Sequence, residues 1–291
     1  MTDRAKMAQV YDEGAQHEWQ RLQRSPLRWA EWRLLIELLE EYIEPGATVL
    51  DVGAGPGRYA EHFIRQHGCK VGLVDLSEEC LGLFRGRMGQ QWQRQILFTW
   101  KSCATDLNFI PDASFDAVLL MGPMYHLLEA QERAAAVRQA HRVLAPGGVL
   151  LATFISPYPV LPRLLTWEPE LLGDGDFLKN LLQSGRITDP RMTNMTDHWR
   201  CWPDQGRALL EEAGLEIVRL RNLEGVGAFF EGKQEELFSD ESRFEAWLDV
   251  LRATCERPEL LGATVHFACL ARKAADGQEM GGAVLLPGPE K

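Results

Sequence analysis

The spacing of hydrophobic and polar positions changes character twice along this chain. Between Trp19 and Ile43 apolar residues recur every three or four positions, with Trp32, Ile36, Leu39 and Ile43 on one stripe, which predicts a helix ended by Pro45-Gly46. From residue 47 onward the pattern becomes short, nearly continuous apolar runs separated by helical stretches. Runs at 47–52, 70–75, 96–102, 115–121 and 148–155 predict five strands, and 57–68, 77–88 and 129–144 predict the helices between them. Gly68 is placed to close the first of these helices, and Ser77 to cap the second. Strands apolar on both faces, alternating with helices, predict a parallel sheet covered on both sides.

After Ser156 the regularity lapses. Residues 157–200 are rich in Pro, Gly, Trp and Met without a clean period, as expected of a lid or binding insertion. A helix over 203–214, a strand over 215–220, helix signals within 234–254 and a last strand over 263–272 follow. The tail from Lys273 has little to bury. The predicted organisation is an N-terminal helical cap (1–44), a core (45–156), a lid or substrate insertion (157–202), a C-terminal part of the core (203–272) and a flexible tail (273–291).

Composition narrows the function classes. The net charge of −11, from 42 acids against 31 bases, argues against non-specific attraction to nucleic acid or an anionic membrane. No signal peptide or membrane-spanning run is apparent, and the cytoplasm is the expected location. The six cysteines are scattered without a CxxC pair, so buried reduced thiols are expected, with no metal site.

The stretch VLDVGAGPGRY (49–59) is the most informative. A strand runs into Gly53-Ala54-Gly55-Pro56-Gly57 and directly into a helix, a geometry that lets backbone approach a ligand. Asp75 lies about 20 residues on, at the end of the next strand, where a carboxylate can accept both hydroxyls of a ribose. An adenosine-containing cofactor is the natural ligand. Asp51 would oppose the pyrophosphate of a dinucleotide but suits the ammonium group of S-adenosylmethionine, and the spacing is GxGxG rather than GxGxxG. Asp51 can alternatively cap the loop through backbone N–H groups, and the two roles are compatible.

VLDVGAGPG, VDLS, ATDLNF, FDAVLLMGPMYHL and HRVLAPGG, in that order, resemble the motifs of class I S-adenosylmethionine-dependent methyltransferases, strongly over 45–156 and more weakly over 203–272. That resemblance implies a Rossmann-like, doubly wound α/β fold: a seven-stranded, mostly parallel sheet with its last strand antiparallel and helices on both faces. It implies that Gly53, Ala54, Gly55 and Gly57 pass the methionine part of the cofactor, and that Asp75 holds the ribose with Leu76 against the adenine. Thr105, Asp106 and Leu107 would edge the adenine, and Met121 and Gly122 would close the pocket under the sulfur.

The methyl acceptor should approach from the carboxyl edge of the sheet, where MGPMYHLL (121–128) lies. This sequence departs from the Asn/Asp-Pro-Pro-aromatic motif of DNA amino-methyltransferases. With the N-terminal YDEGAQHEWQRL it looks like a bacterial GPxYHL-type group whose substrates are mostly unassigned. His126 is the candidate base, because an imidazole of ordinary pKa can take a proton at neutral pH, and Tyr125 can orient or stack on the acceptor. Alternatively both rings pack the loop or bond a backbone carbonyl. Tyr11, Glu18 and Arg21 lie on a segment that closes over the cofactor in related folds, although Glu18 and Arg21 can simply pair. His198 and Trp199 end the insertion and can face the acceptor, and Trp167, Trp199 and Trp202 suggest a flat or apolar substrate or a cation held over a ring, although buried packing explains them equally well. His62, His67 and His266 receive no role. The expected function is methylation of an O or N atom of a small molecule. An enzyme acting on RNA or protein, a non-catalytic cofactor-binding module and, more weakly, a nicotinamide dehydrogenase compete with it.

Overall fold

In the computed structural model, residues 2–192, 197–229 and 240–275 are described. Helices α1 (Arg4–Arg21) and α2 (Pro26–Glu40) precede a sheet whose first strands are β1 (Thr48–Val52), β2 (Lys70–Asp75), β3 (Ile96–Lys101), β4 (Phe115–Leu120) and β5 (Leu144–Ile155). Between them run α3 (Arg58–His67), α4 (Glu78–Arg87) and α5 (Ala130–Val143). The insertion contributes α6 (Val160–Thr166), α7 (Gly175–Lys179) and a two-stranded ribbon of β6 (Arg186–Ile187) and β7 (His198–Trp199). Then come α8 (Pro203–Glu211), β8 (Leu215–Asn222), α9 (Glu241–Thr254) and β9 (His266–Lys273).

The seven-stranded sheet runs β3-β2-β1-β4-β5-β9-β8, with β9 antiparallel to both of its neighbours. Successive residues of a strand point to opposite faces. Val49, Val71, Ala117 and Leu151 accordingly join one core with α2, α3 and α9, while Leu50, Val74, Val118 and Leu150 join the other with α5 and α8. The order reverses between β1 and β4, which opens a crevice at their carboxyl ends. All six cysteines are buried free thiols. Among the described residues no helix is long and apolar enough to cross a membrane.

Two boundaries depart from expectation. The predicted Trp19–Ile43 helix is two helices, because Ser25 is extended (φ −147°, ψ 156°), accepts from the Arg28 N–H and is followed by Pro26 in the first turn. Upstream, α1 is a full helix that the hydrophobic pattern missed, since it buries only Met7 and Ala15. The predicted 234–254 helix appears as α9, its first positions lying outside the described residues, as does most of the predicted tail.

Gly57 belongs to the fold rather than to the ligand cavity. It caps α3 at φ +74°, and a Cβ there would stand 2.4 Å from the Phe84 ring and 2.9 Å from Leu73. Gly46 has φ +81° but open space around it. Gly57→Ala should therefore destabilise by about 3 kcal/mol through combined strain and overpacking, against about 1 kcal/mol for Gly46→Ala. Urea denaturation of the two variants checks this; equal losses would contradict it.

Candidate active site

The crevice continues into a cavity roofed by α1. Its floor is the loop from β1 into α3, and its walls are the ends of β2 and β4 together with the turn after β4. Of the predicted cofactor residues, Asp51, Gly53, Ala54, Gly55, Asp75, Leu76, Met121 and Gly122 line it. Gly53 takes φ +71°, and a Cβ there would lie 2.5 Å from Pro123, so the close approach of the two loops requires glycine. Its N–H bonds the Val74 carbonyl at 2.7 Å. The Gly55 N–H donates to Asp75 Oδ2 at 2.7 Å and the Ser77 N–H to Oδ1 at 2.8 Å, so Asp75 is fixed before any ligand arrives.

Asp51 is 2% exposed, and its Oδ2 has no hydrogen-bond partner among the described residues. Burial first, and then the neighbouring Asp75 carboxylate, push its pKa up to about 7. A buried carboxylate with one unpartnered oxygen, lining a cavity, calls for a cationic ligand group.

The other end of the cavity is aromatic and polar. Tyr11, Tyr59, Tyr125 and His126 line it with Glu18 and Arg21. Tyr11 Oη lies 2.7 Å from His126 Nε2, with the two rings edge to face. Burial drives the His126 pKa down to about 4 and the Tyr125 hydroxyl up to about 12. His126 is therefore neutral well below the pH at which an ordinary imidazole protonates, a correction to the expectation of an unperturbed base. Arg21 Nε donates to Glu18 Oε1 at 2.5 Å, so this pair does form, and it does so inside the cavity wall. Behind Tyr125 sits a buried ionic cluster in which His266 Nδ1 bonds Glu224 Oε1 at 2.7 Å and Arg28 bonds Glu31 at 2.9 Å.

Helix α1 is latched along its length. Thr2, just before it, donates to Glu132 at 2.7 Å and accepts from the Leu128 N–H at 3.1 Å. Ser77 Oγ donates to Asp12 at 2.6 Å, and Arg58 donates to the Trp19 carbonyl at 2.9 Å. Met7, Tyr11, Glu18 and Leu22 share the cavity-facing stripe. Their spacing of four, seven and four was the available signal, hidden by an otherwise polar helix.

Several expected residues stand elsewhere. Ser102, Cys103 and Ala104 line the cavity in place of Thr105, Asp106 and Leu107, because the chain turns away three residues earlier than the motif implies. Thr105 accepts from Arg4 at 3.0 Å, Asp106 is exposed and accepts from Asn108, and Leu107 is wholly buried core. None of the described residues of 157–202 lines the cavity. His198 accepts from Arg200 Nε at 3.0 Å, and the Trp199 ring lies under the Arg133 guanidinium at 3.7 Å. Arg133 in turn donates to the Leu127 carbonyl at 2.7 Å and the Leu128 carbonyl at 2.9 Å, so Trp199 buttresses the loop after β4 from behind. Trp167 is 70% exposed, and Trp202 packs edge-on to Tyr158.

Comparison with known proteins decides the family of this chain. Residues 49–148 match a family described as a methyltransferase domain. The ubiquinone/menaquinone biosynthesis C-methyltransferase UbiE of Escherichia fergusonii is 30% identical over 204 residues, covering 65% of this chain and 75% of that protein. The chain belongs to the S-adenosylmethionine-dependent methyltransferases. The UbiE of Cupriavidus metallidurans is 28% identical over 212 residues, covering 70% of this chain and 81% of that protein. The fold is shared with the 1,6-didemethyltoxoflavin-N1-methyltransferase of Burkholderia thailandensis, solved with S-adenosylhomocysteine, at 17% identity and a TM-score of 0.54, covering 93% of this chain and 88% of that one.

The cofactor of this methyltransferase is S-adenosylmethionine, and the unpartnered Oδ2 of Asp51 fits its ammonium group. The folded Asp51 pKa of about 7 lies above its unfolded value, so near neutrality the free protein holds a fraction of a proton there that a bound cation must expel. Calorimetric titration with S-adenosylhomocysteine at pH 6.5, repeated in buffers of different ionisation enthalpy, should show proton release. The release should vanish in Asp51→Asn, together with a loss in affinity of at least about tenfold. Buffer-independent heats in the native protein would contradict this assignment.

Proposed function

We propose that this methyltransferase transfers a methyl group to an oxygen, or a weakly basic nitrogen, of a small molecule held under α1. The observation that carries this reading is the Tyr11–His126 pair, hydrogen-bonded at 2.7 Å on the aromatic side of the cavity. The roof of α1 excludes a folded macromolecule from that side while latched, and the net charge of −11 disfavours RNA.

The cofactor supplies a methyl group on a cationic sulfur. In this reading Asp51 meets its ammonium, Asp75 its ribose hydroxyls and Leu76 its adenine, while Met121 and Gly122 border the sulfur. The chain's remaining task is to align the acceptor and dispose of its proton. With Nε2 of the neutral imidazole unprotonated, the Tyr11 hydroxyl donates to it and keeps oxygen lone pairs for the acceptor. As the acceptor atom gains the methyl group its own O–H or N–H proton passes to the Tyr11 oxygen, and the tyrosine proton moves to His126 Nε2. Tyr125 and Arg21 hold the acceptor in line.

The depressed His126 pKa selects among acceptors. A hydroxyl becomes a strongly acidic oxonium as it is methylated, so even a base of pKa about 4 receives its proton downhill. A cationic alkylamine, with a pKa of about 10, does not yield its proton to such a base. Carbon methylation, the activity named for the UbiE relatives, is the second reading, since the same pair can take the proton of an activated ring carbon.

A panel of phenols, hydroxy acids, heteroaromatic N–H compounds and alkylamines, with products located by mass spectrometry and NMR, tests this. Methyl groups on oxygen or weakly basic nitrogen are expected, with kcat lowered about 100-fold or more in Tyr11→Phe and His126→Gln at saturating cofactor. At saturating cofactor, where Asp51 has already released its proton, the native kcat should show no inflection near pH 6.5, because His126 titrates near 4. Full activity in both variants overturns the proton route, and products methylated only on carbon select the second reading.

A further inference from the structure

Outside the cavity lining, the end of α2 meets α3. There Glu40 Oε1 lies 2.9 Å from His62 Nε2 and 2.9 Å from His67 Nε2. The three potential ligand atoms fall within 4.8 Å of one another. We propose that Glu40, His62 and His67 bind one first-row divalent cation, with Zn²⁺ the best match.

The donor set is two imidazoles and one carboxylate, which suits zinc and its first-row neighbours rather than the all-oxygen demands of Ca²⁺ or Mg²⁺. Ligands about 2.1 Å from a tetrahedral zinc stand about 3.4 Å apart. The two Glu40–histidine separations of 2.9 Å therefore need to open by only about 0.5 Å. The rings are pre-positioned as well. His62 packs edge-on to Trp32 at 5.6 Å and to Phe63 at 5.5 Å, and His67 lies 5.4 Å from the Phe63 ring. Both histidines keep about a fifth of their side chains exposed and Glu40 rather more, so an ion can enter from solvent.

Charge balance separates this cluster from the other His/Glu group. At Glu31, Glu224 and His266 the Arg28 guanidinium already stands 2.9 Å from Glu31 and 3.0 Å from His266 Nδ1, where a cation would sit. Among the described residues Glu40 has only the two histidines as ion-pair partners. One carboxylate oxygen facing both imidazole nitrogens leaves the second oxygen and the carboxylate charge to attract a metal. The bound ion would clamp the end of α2 to α3, whose first turn follows the glycine loop.

Calorimetric titration of tag-free protein with ZnCl₂ at pH 7.5, and visible spectra with Co²⁺ as a geometric probe, test the proposal. The expected result is one ion per chain at micromolar Kd, a tetrahedral Co²⁺ band, and a higher Tm with Zn²⁺. His62→Asn, His67→Asn and Glu40→Gln should each weaken binding at least about tenfold and abolish the Tm shift. Retained S-adenosylhomocysteine binding in these variants certifies their fold, because none of the three residues lines the cavity. Absence of binding at about 100 µM Zn²⁺, or native affinity in the two single histidine variants, overturns it.

Discussion

Two carboxylates forced close together in a nearly dry crevice set the terms of this site. Asp51 and Asp75 end adjacent parallel strands, and each is tied to its place by the sheet register rather than by choice of rotamer. Asp75 is satisfied by two backbone N–H groups, whereas Asp51 is left with an unpartnered oxygen and a pKa lifted to about 7. That arrangement is unfavourable in the free protein. It becomes favourable when a cation enters, so part of the folded state's electrostatic tension is held in reserve for binding a cofactor with a positively charged end. A pyrophosphate-bearing dinucleotide would add to the tension, which is the physical reason this glycine loop suits one adenosine cofactor and not the other.

The second constraint is the roof. Helix α1 buries too little apolar surface to hold itself down by packing alone. Polar latches from Thr2, Asp12 and Trp19 hold it across the crevice, and the same helix brings Tyr11 to His126 and Glu18 with Arg21 to the cavity wall. Removing the pocket from water is what lowers the His126 pKa and raises that of Tyr125, so the roof and the shifted proton affinities beneath it have one cause.

Legibility in the sequence followed the strength of local signals. The strands and the glycine loop are encoded by apolar runs and by glycines at positive φ, and they were placed correctly, as was the antiparallel last strand implied by the resemblance. Motif carry-over failed by three residues after β3, where Ser102 to Ala104 face the cavity, because a turn has no periodic signature to fix its register. His198 and Trp199 carry the residue types of a ligand site, yet Trp199 lies under Arg133 behind the loop after β4 and His198 accepts from Arg200. Only tertiary packing separates those two roles. The stripe on α1 was present in the sequence, but too polar to be recognised by hydrophobic spacing.

A crystal structure with S-adenosylhomocysteine tests the central claim most directly. The account predicts the ligand's ammonium within hydrogen-bond distance of Asp51 Oδ2, its ribose hydroxyls on Asp75, and its sulfur facing the Tyr11, Tyr125 and His126 end beneath a closed α1. A homocysteine tail directed away from Asp51, with that carboxylate still unpartnered, would contradict it.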